Sequence, residues 1–404
     1  MVVYKKNIFL FFLSIIFTYI TKLTAMKLKT LYYIFACFFT CSQTIINNAR
    51  ASQSARSTFA EVTSFPLYNA AEAGLNLPAV GAGTGFYGLR PRPYGEYPEC
   101  GVELVGCGKN TQKAVYTWLS KAKGVRLDCA NSYYNQRSVA RGIEQSGVHR
   151  SQIFILSKVG PSFPLGYNET LKQTSDILQE LQTDYVDLML VHWPLVTPSE
   201  TEIPISSDPF CNLTSPSTYD EKKCRLSTWS AMVLLFKRGV VRSIGVSNYN
   251  TTHLQEIIDA GLPLPTANQV SFNPYNYRTG RADLLQFCQK HQILLIGYSP
   301  LGVPDVHQFP TGMPRTLLED PVIVSLAKEY NRTSAQILLR WAHQLGVPTN
   351  PRSMNETHML ENLAVFSNPF TINDNDMNRI NNLAQDTCDV DPDWYECVGN
   401  GNLP

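Results

Sequence analysis

Four side chains with complementary chemistry stand at or just after the ends of three short apolar segments: Asp128, Tyr133, Lys158 and His192. A phenol, an ammonium, a carboxylate and an imidazole that share one site are suited to moving a proton. Tyrosine alone is a weak acid, with an ordinary pKa of about 10. A neighbouring ammonium favours the phenolate and lowers that pKa, so a Lys–Tyr pair predicts acid–base chemistry.

The elements that must position these residues are buried strands. Asp128, Lys158 and His192 each end an apolar segment, and Tyr133 follows in the turn after the first of them. Polar groups at the C-terminal ends of successive parallel strands build the active site of a (β/α)₈ barrel. Each residue alone also has a structural explanation, as a cap, a loop aromatic or a solvated strand end. Four together on three consecutive strands favour an enzyme.

Strand-like and helix-like segments alternate from about residue 62 onward, which indicates βα units around a parallel sheet. We therefore predict an α/β fold, a (β/α)₈ TIM barrel with an N-terminal hairpin near residues 61–77 that could plug its bottom. The eight predicted strands are apolar without alternation, as expected for strands buried on both faces. They span residues 77–84, 125–130, 153–159, 186–192, 241–246, 267–272, 293–298 and 347–352.

Three stretches are additional to the strands and helices of a minimal barrel: residues 90–110, residues 195–224 and a C-terminal tail at 386–404. Each follows a strand or closes the chain, so each can reach the catalytic face. Loop insertions at that face usually shape substrate binding. We expect substrate specificity to reside in them.

The first 51 residues are predicted to be a signal or targeting segment, and residues 52–404 the barrel domain. Two basic starts, Lys5-Lys6 and Met26 to Lys29, precede apolar stretches shorter than the about 20 residues that a membrane-spanning helix needs. This pattern is typical of a secretory signal, with a possible cleavage site at residues 49–51. The predicted location is the secretory pathway, as an ER-lumen or secreted protein. An uncleaved membrane anchor and an organelle reached by the secretory route remain alternatives.

The cysteine pattern favours export. Three sequence-local cysteine pairs lie in predicted loops or the tail, where an oxidising compartment could use them as disulfides: Cys100 and Cys107, Cys211 and Cys224, and Cys388 and Cys397. Cys129 and Cys288 are predicted to be buried thiols. Among five N-x-[ST] sequons, Asn212 is the most plausible glycan acceptor. The sequence contains no C-x-x-C or H-x-x-x-H spacing, so no zinc site is predicted.

The net charge of the chain limits which binding partners are expected. The chain has 404 residues and a formal net charge of +1. No global field draws it to nucleic acid, so none is predicted as a partner. Membrane association is expected only if the N-terminal segment stays uncleaved.

The motifs resemble those of the aldo-keto reductase family, in the family's order, over residues 62 to 404. Residues 127–133 are similar to its D-x-A-x-x-Y signature, and residues 157–158 and 191–194 match its Lys and His positions. Residues 243–248, Ser-Ile-Gly-Val-Ser-Asn, are close to its most recognisable motif. The resemblance implies that Tyr133 protonates a carbonyl oxygen, Lys158 activates it, Asp128 holds Lys158, and His192 orients the carbonyl.

The resemblance also implies a nicotinamide cofactor, NADPH with NADH possible. Gly83 and Thr84 would lie near its ribose, and Tyr298 would stack on the ring. Ser247, Asn248 and Gln269 would bond the carboxamide. Adenosine-side positions are Arg352, Ser353, His358, Glu361 and Asn362. His358 replaces an arginine common in the family, and the segment 347–351 is unusually polar and proline-rich.

Phe86, Tyr87 and Trp193 are predicted to line an apolar substrate pocket, with core packing as the alternative for Trp193. The predicted function is NADPH-dependent reduction of aldehydes or ketones to alcohols by a monomer acting on small molecules. The alternative is a catalytically silent nucleotide-binding protein, regulatory or structural, that keeps the barrel.

Overall fold

A computed structural model describes residues 64–68, 70, 74–85, 108–160, 163–195, 205–302 and 317–383. All of them belong to one compact unit, Phe59–Pro404. The predicted signal segment, the 386–404 tail, most of the 90–110 insertion, Phe86, Tyr87 and the cysteine pairs Cys100–Cys107 and Cys388–Cys397 lie outside the described residues. The domain boundary at residue 52 therefore stays a prediction.

Eight parallel strands follow one another in chain order, each paired with the next. A two-stranded antiparallel hairpin, β1 (Ser64–Pro66) and β2 (Asn76–Pro78), precedes them. The parallel strands are β3 (Ala82–Gly83), β4 (Arg126–Asp128), β5 (Phe154–Val159), β6 (Leu188–Val191), β7 (Ile244–Ser247), β8 (Ala267–Ser271), β9 (Leu294–Tyr298) and β10 (Thr349–Asn350).

The barrel closes between its first and last strands. Val80 forms a parallel bridge with Thr349. Around it, the Gly81 amide donates to the Thr349 carbonyl at 3.0 Å and the Gly83 amide donates to the Pro351 carbonyl at 3.2 Å. The predicted (β/α)₈ barrel is confirmed.

Helices follow the strands, as the alternating pattern predicted. Many begin at a side-chain cap, such as Asp220 before Glu221–Lys237, whose carboxylate accepts from the Lys223 amide. The α-helical segments are Lys109–Tyr116, Gln136–Ser146, Tyr167–Leu181, Glu221–Lys237, Thr251–Asp259, Pro274–Asn276, Ala282–Lys290, Pro321–Glu329, Ser334–Gln344, Glu356–Ser367 and Asp374–Asn381. In the described ranges, no helix is long and apolar enough to cross a membrane.

The hairpin plugs the barrel, as predicted. Leu67, Leu75 and Leu77 are buried. They join a cluster of strand residues separate from the larger core between strands and helices: Phe154, Leu156, Leu188, Leu190, Ala267 and Ile296. Most of these strand residues lie in the first half of their strands, so the plug fills the end opposite the predicted site.

The first predicted strand, residues 77–84, is wrong in one respect, because the chain divides it between two sheets. Its beginning pairs with the hairpin, where Leu77 lies opposite Phe65. Only Ala82–Gly83 pairs with β4 in the barrel. An apolar stretch cannot reveal this change of partner, since both halves are buried.

Candidate active site

Asp128, Lys158 and Tyr133 form one buried chain of polar contacts. The Lys158 ammonium, 0% exposed, lies 2.5 Å from Asp128 Oδ1. It also donates to the Cys129 carbonyl at 3.0 Å and to the Tyr133 hydroxyl at 3.2 Å. Strands β4 and β5 bring these residues together because Asp128 pairs with Leu156, two residues before Lys158.

Tyr133 ends a short 3₁₀ turn, Asn131–Tyr133, directly after β4. Its ring faces Gly85, where a side chain would meet the ring carbons at 3.1–3.3 Å. The ring of His192 stands edge-on to it, with centroids 5.7 Å apart. The predicted tetrad is thus brought into one site at the C-terminal ends of β4, β5 and β6.

Lys158 and Tyr133 differ in charge at neutral pH. Burial raises the pKa of the Tyr133 phenol above its ordinary value, and the Lys158 ammonium opposes that rise, which is the direction predicted for its own effect. Burial also acts to lower the pKa of Lys158, but Asp128 and Tyr133 outweigh it, so that pKa is raised. The ammonium is therefore charged, and the phenol carries its proton at neutral pH.

His192 follows β6 directly, and its backbone amide donates to the Val159 carbonyl at 3.0 Å. Burial and then Lys158 hold the pKa of His192 well below its ordinary value, so the imidazole is neutral. Its Nδ1 lies 3.2 Å from the Ser132 hydroxyl, a contact that helps to fix the ring. A neutral imidazole beside a phenol is suited to donating one hydrogen bond without adding charge.

The predicted carboxamide-binding residues continue the same edge of the sheet. Ser247 ends β7 and donates to the Gln269 carbonyl at 2.8 Å. Asn248 adopts a left-handed backbone, with φ at 61°. Its amide donates to the His192 carbonyl at 3.0 Å and accepts from the Tyr298 hydroxyl at 3.0 Å. Gln269 is buried and donates to Asp128 Oδ2 at 2.6 Å.

The remaining predicted cofactor residues border this edge. Thr84 is buried, and its hydroxyl donates to the Asp128 carbonyl at 2.8 Å. Gly83 lies where a Cβ would stand 3.3 Å from the Asn350 carbonyl oxygen. Arg352 is exposed just beyond β10, and its Nη1 donates to the Gly85 carbonyl at 2.9 Å. A phosphate-binding role for it stays a prediction.

The adenosine-side residues lie after β10. Ser353 precedes the helix Glu356–Ser367, which carries His358, Glu361 and Asn362. His358 is exposed in its first turn, whereas Asn362 is 4% exposed and turned into the protein. Their role in cofactor binding stays a prediction. Trp193 is partly buried beside His192, and the other two predicted pocket residues are not described.

Sequence reasoning missed Arg126 and Asn350. Asn350 donates to Asp128 Oδ2 at 2.6 Å and accepts from Arg126 Nη2 at 2.6 Å. A signal was present: Arg126 lies two residues before Asp128 on one strand, and period two places both on one face. The polar segment 347–351 is explained in part by Asn350, which supplies a partner to both side chains.

Comparison with known proteins identifies the family. The aldo/keto reductase family profile matches residues 110–385. The uncharacterised oxidoreductase YtbE of Bacillus subtilis is 34% identical over 302 residues, covering 73% of this chain and 92% of its own. Aldo-keto reductase family 1 member A1 of Xenopus tropicalis is 34% identical over 295 residues, covering 70% of this chain and 85% of its own.

Solved structures that resemble this chain are also aldo-keto reductases. An aldo/keto reductase of Brucella melitensis has a TM-score of 0.60 at 30% identity, covering 80% of this chain and 98% of its own. An aldo-keto reductase of Bombyx mori in complex with NADP has a TM-score of 0.65 at 25% identity, covering 83% and 97%. The chain belongs to the aldo-keto reductase family. The resemblance drawn from the motifs and the enzyme class, an oxidoreductase, are confirmed.

Proposed function

We propose that the protein reduces an aldehyde or ketone to an alcohol with NADPH, Tyr133 being the proton donor. The observation that carries the proposal is the 3.2 Å contact between the Tyr133 hydroxyl and a Lys158 ammonium that Asp128 holds in place. A binding protein has no need of an ammonium buried against a tyrosine. Desolvating that charge costs free energy, which an acid–base role explains.

In the proposed mechanism, His192 and Tyr133 both face the carbonyl oxygen. The neutral imidazole donates a hydrogen bond that orients and polarises the carbonyl. As negative charge develops on that oxygen, the Tyr133 phenol transfers its proton to it. Lys158 stabilises the phenolate left behind, and Asp128 keeps the ammonium within reach.

NADPH supplies the hydride when bound. The residues at the ends of β7 to β9 suit a nicotinamide: Ser247, Asn248 and Tyr298 form a hydrogen-bonded set beside His192. Asn248 adopts the left-handed backbone conformation, which asparagine tolerates better than most residues, and its side-chain amide donates to the His192 carbonyl. The Bombyx mori relative was solved with NADP, which supports the same cofactor here.

The test is turnover of a panel of aldehydes and ketones, followed by NADPH absorbance, in the wild type and Tyr133→Phe. We expect the variant to lose at least about a hundredfold in kcat while its NADPH Kd stays the same. Tyr185→Phe is the matched control, because Tyr185 packs against Arg150 at the other end of the barrel. Full activity in Tyr133→Phe would contradict the proton-donor assignment. NADPH binding without any wild-type turnover would favour the silent nucleotide-binding alternative.

We also propose that the protein enters the secretory pathway. Support comes from the basic and apolar pattern of residues 1–51 and from the disulfide between Cys211 and Cys224. Asn212, next to that disulfide, is the proposed glycan acceptor. Expression of the full chain in a eukaryotic secretory host should give a glycosidase-sensitive band that Asn212→Gln removes. An unshifted band that stays with the cytosolic fraction would contradict this proposal.

A further inference from the structure

A fully buried arginine lies beneath the tetrad. Arg126 stands two residues before Asp128 on β4 and is 0% exposed. Its side chain passes over Gly81, where even a Cβ would lie 2.3 Å from Arg126 Nε. That glycine leaves the path open across β3, so the guanidinium reaches β10 on the far side of the barrel seam.

Only one of the three guanidinium nitrogens of Arg126 has hydrogen-bond acceptors among the described residues. Its Nη2 donates to the Thr349 carbonyl at 2.5 Å and to Asn350 Oδ1 at 2.6 Å. Its Nε and Nη1 are buried without a hydrogen-bond partner among the described residues. Burying a cation with unpaired donors is destabilising. An apolar side chain would serve packing alone, so the arginine calls for another explanation.

Asn350 connects Arg126 to the catalytic carboxylate. Its Nδ2 donates to Asp128 Oδ2 at 2.6 Å while its Oδ1 accepts from Arg126. Gln269 donates to the same oxygen, and Lys158 contacts the other oxygen, Oδ1. The single negative charge of Asp128 therefore lies between two cations, Arg126 on the seam side and Lys158 on the Tyr133 side.

We propose that Arg126 is a positioning residue that, with Asn350, shares the Asp128 charge with Lys158 and thereby keeps Tyr133 acidic enough to act. This rests on the proposed function, in which Tyr133 is the proton donor. Arg126 touches no reacting atom, since it lies below Asp128 in the barrel. Its effect reaches the phenol only through the charge balance of the carboxylate and the ammonium.

The charged groups around the Tyr133 phenol decide in which direction its pKa moves when Arg126 is removed. Lys158 favours the phenolate, Asp128 and the buried Cys129 thiol disfavour it, and His192 is neutral. On the other side of the carboxylate, burial acts to lower the pKa of Arg126, and Asp128 opposes that fall. A guanidinium stays protonated in proteins, so Arg126 keeps its positive charge over the range in which Tyr133 titrates. Removing the Arg126 guanidinium takes one positive charge from the site. The negative charge of Asp128 is then balanced by Lys158 alone. Both changes disfavour the phenolate and raise the pKa of Tyr133.

The experiment measures the ionisation of Tyr133 in wild type and in Arg126→Met. Phenolate absorbance is titrated in each protein, and the matching Tyr133→Phe background is subtracted, so the readout requires no turnover. We expect an upward shift of about one pH unit, the order of magnitude for removing one charge from a buried cluster with an effective dielectric constant of about 20. The basic limb of the kcat/KM profile for reduction should move by the same amount, with the NADPH Kd unchanged.

Three variants separate charge from packing. Arg126→Lys keeps the cation and should restore most of the wild-type pKa. Arg242→Met removes a cation that pairs with Asp187 at 2.6 Å at the other end of the barrel, and should leave the pKa unchanged. Asn350→Ala removes the bridge but keeps the arginine, and should give a smaller upward shift. It also tests the proposal if Arg126→Met fails to fold.

The two proposals fail in different ways. If the wild type reduces no carbonyl, the proposed function is overturned, and the phenolate titration still decides the role of Arg126. If Arg126→Met melts at a lower temperature but Tyr133 titrates as in the wild type, the arginine is structural and the inference is overturned. A shift in Arg242→Met as large as in Arg126→Met would overturn it as well.

Discussion

At the scale of single residues, the site is organised around one carboxylate. Asp128 accepts from Lys158 on one oxygen and from Gln269 and Asn350 on the other. An ionised carboxylate with three donors is strongly held, and so are the donors. The position of the ammonium beside Tyr133 is thus a property of four strands rather than of one contact.

Asp128→Asn should therefore cost both stability and activity. The change leaves the Lys158 ammonium buried beside a neutral amide, and breaking one half of a buried ion pair costs about 3–5 kcal/mol. Urea denaturation measures the loss in the free energy of unfolding. The double variant Asp128→Asn/Lys158→Met removes the orphaned charge and should recover part of it. A double variant no more stable than the single one would contradict the explanation.

The sequence predicted the tetrad but not its supporting contacts. Asp128, Lys158 and His192 could be placed because each ends a strand, and parallel strands end on one side of a barrel. Asn350 and Gln269 could not be assigned to Asp128 in this way. Asn350 is 222 residues from Asp128, and only the closed barrel shows which side chains cross its interior.

At the scale of elements, the insertion after β6 is fastened to the helix that follows it. Cys211, in the turn Pro209–Cys211, bonds to Cys224 in the first turns of Glu221–Lys237. Of the three sequence-local pairs, this one is confirmed, and Cys129 and Cys288 are buried free thiols as predicted. The sequence spacing suggested each pairing, but only the structure brings the two cysteines together.

Removing this disulfide should destabilise the fold by about 3 kcal/mol, because the bond closes a loop with a sequence separation of 13 residues. The double variant Cys211→Ala/Cys224→Ala is compared with the wild type by urea denaturation. Added reductant is the control: it should lower the stability of the wild type toward that of the variant and leave the variant unchanged. Equal stabilities without reductant would contradict the prediction.

Gly245 on β7 fills a place that no larger residue fits. A Cβ there would lie 2.5 Å from the Ala267 carbonyl oxygen and 2.7 Å from Leu190 Cδ2. Gly245→Ala should cost about 1–3 kcal/mol through strain between neighbouring strands. Gly297→Ala, on β9, is the matched control, since its nearest contact is at 3.1 Å. Thermal melting should rank Gly245→Ala below Gly297→Ala, and the reverse order would show that strand packing is not the cause.

At the scale of the whole molecule, the hairpin and two helices meet at one histidine. The His343 ring packs edge-on against Phe65 at 5.4 Å and Phe366 at 5.0 Å. Burial, and then Arg340, lower the pKa of His343 from 6.5 to about 4. The folded state therefore holds this ring neutral in a pH range where the unfolded chain protonates it.

Acid should unfold the protein partly through this ring. The stability that His343 contributes is present above pH 6.5 and is lost as pH falls toward about 4, because the unfolded state binds the proton first. His343→Phe keeps the ring contacts and cannot titrate, so it should lose about 1 kcal/mol less over that range, after allowance for partial exposure. Unfolding free energies at the two pH values measure this. Equal losses in both proteins would contradict it.

The barrel itself was the most predictable feature. Buried parallel strands are read from apolar segments, and all eight appear where the sequence placed them, apart from the division of the first. That division follows from the hairpin, whose Ser64–Pro66 strand takes Asn76–Pro78 as its partner. The cofactor and substrate positions remain predictions, because they concern a ligand rather than the packing of the chain.

The seam that closes the barrel has a consequence for how the protein is made. Its first and last strands are two residues long, and the last one lies near the end of the described chain. A ribosome releases β4 long before β10, so Arg126 lacks both of its hydrogen-bond acceptors, the Thr349 carbonyl and Asn350, until the last strand emerges. Contacts between such distant residues form slowly. We expect the nascent chain to depend on chaperones until its eighth strand emerges, and a product truncated before it to be inactive with the tetrad intact.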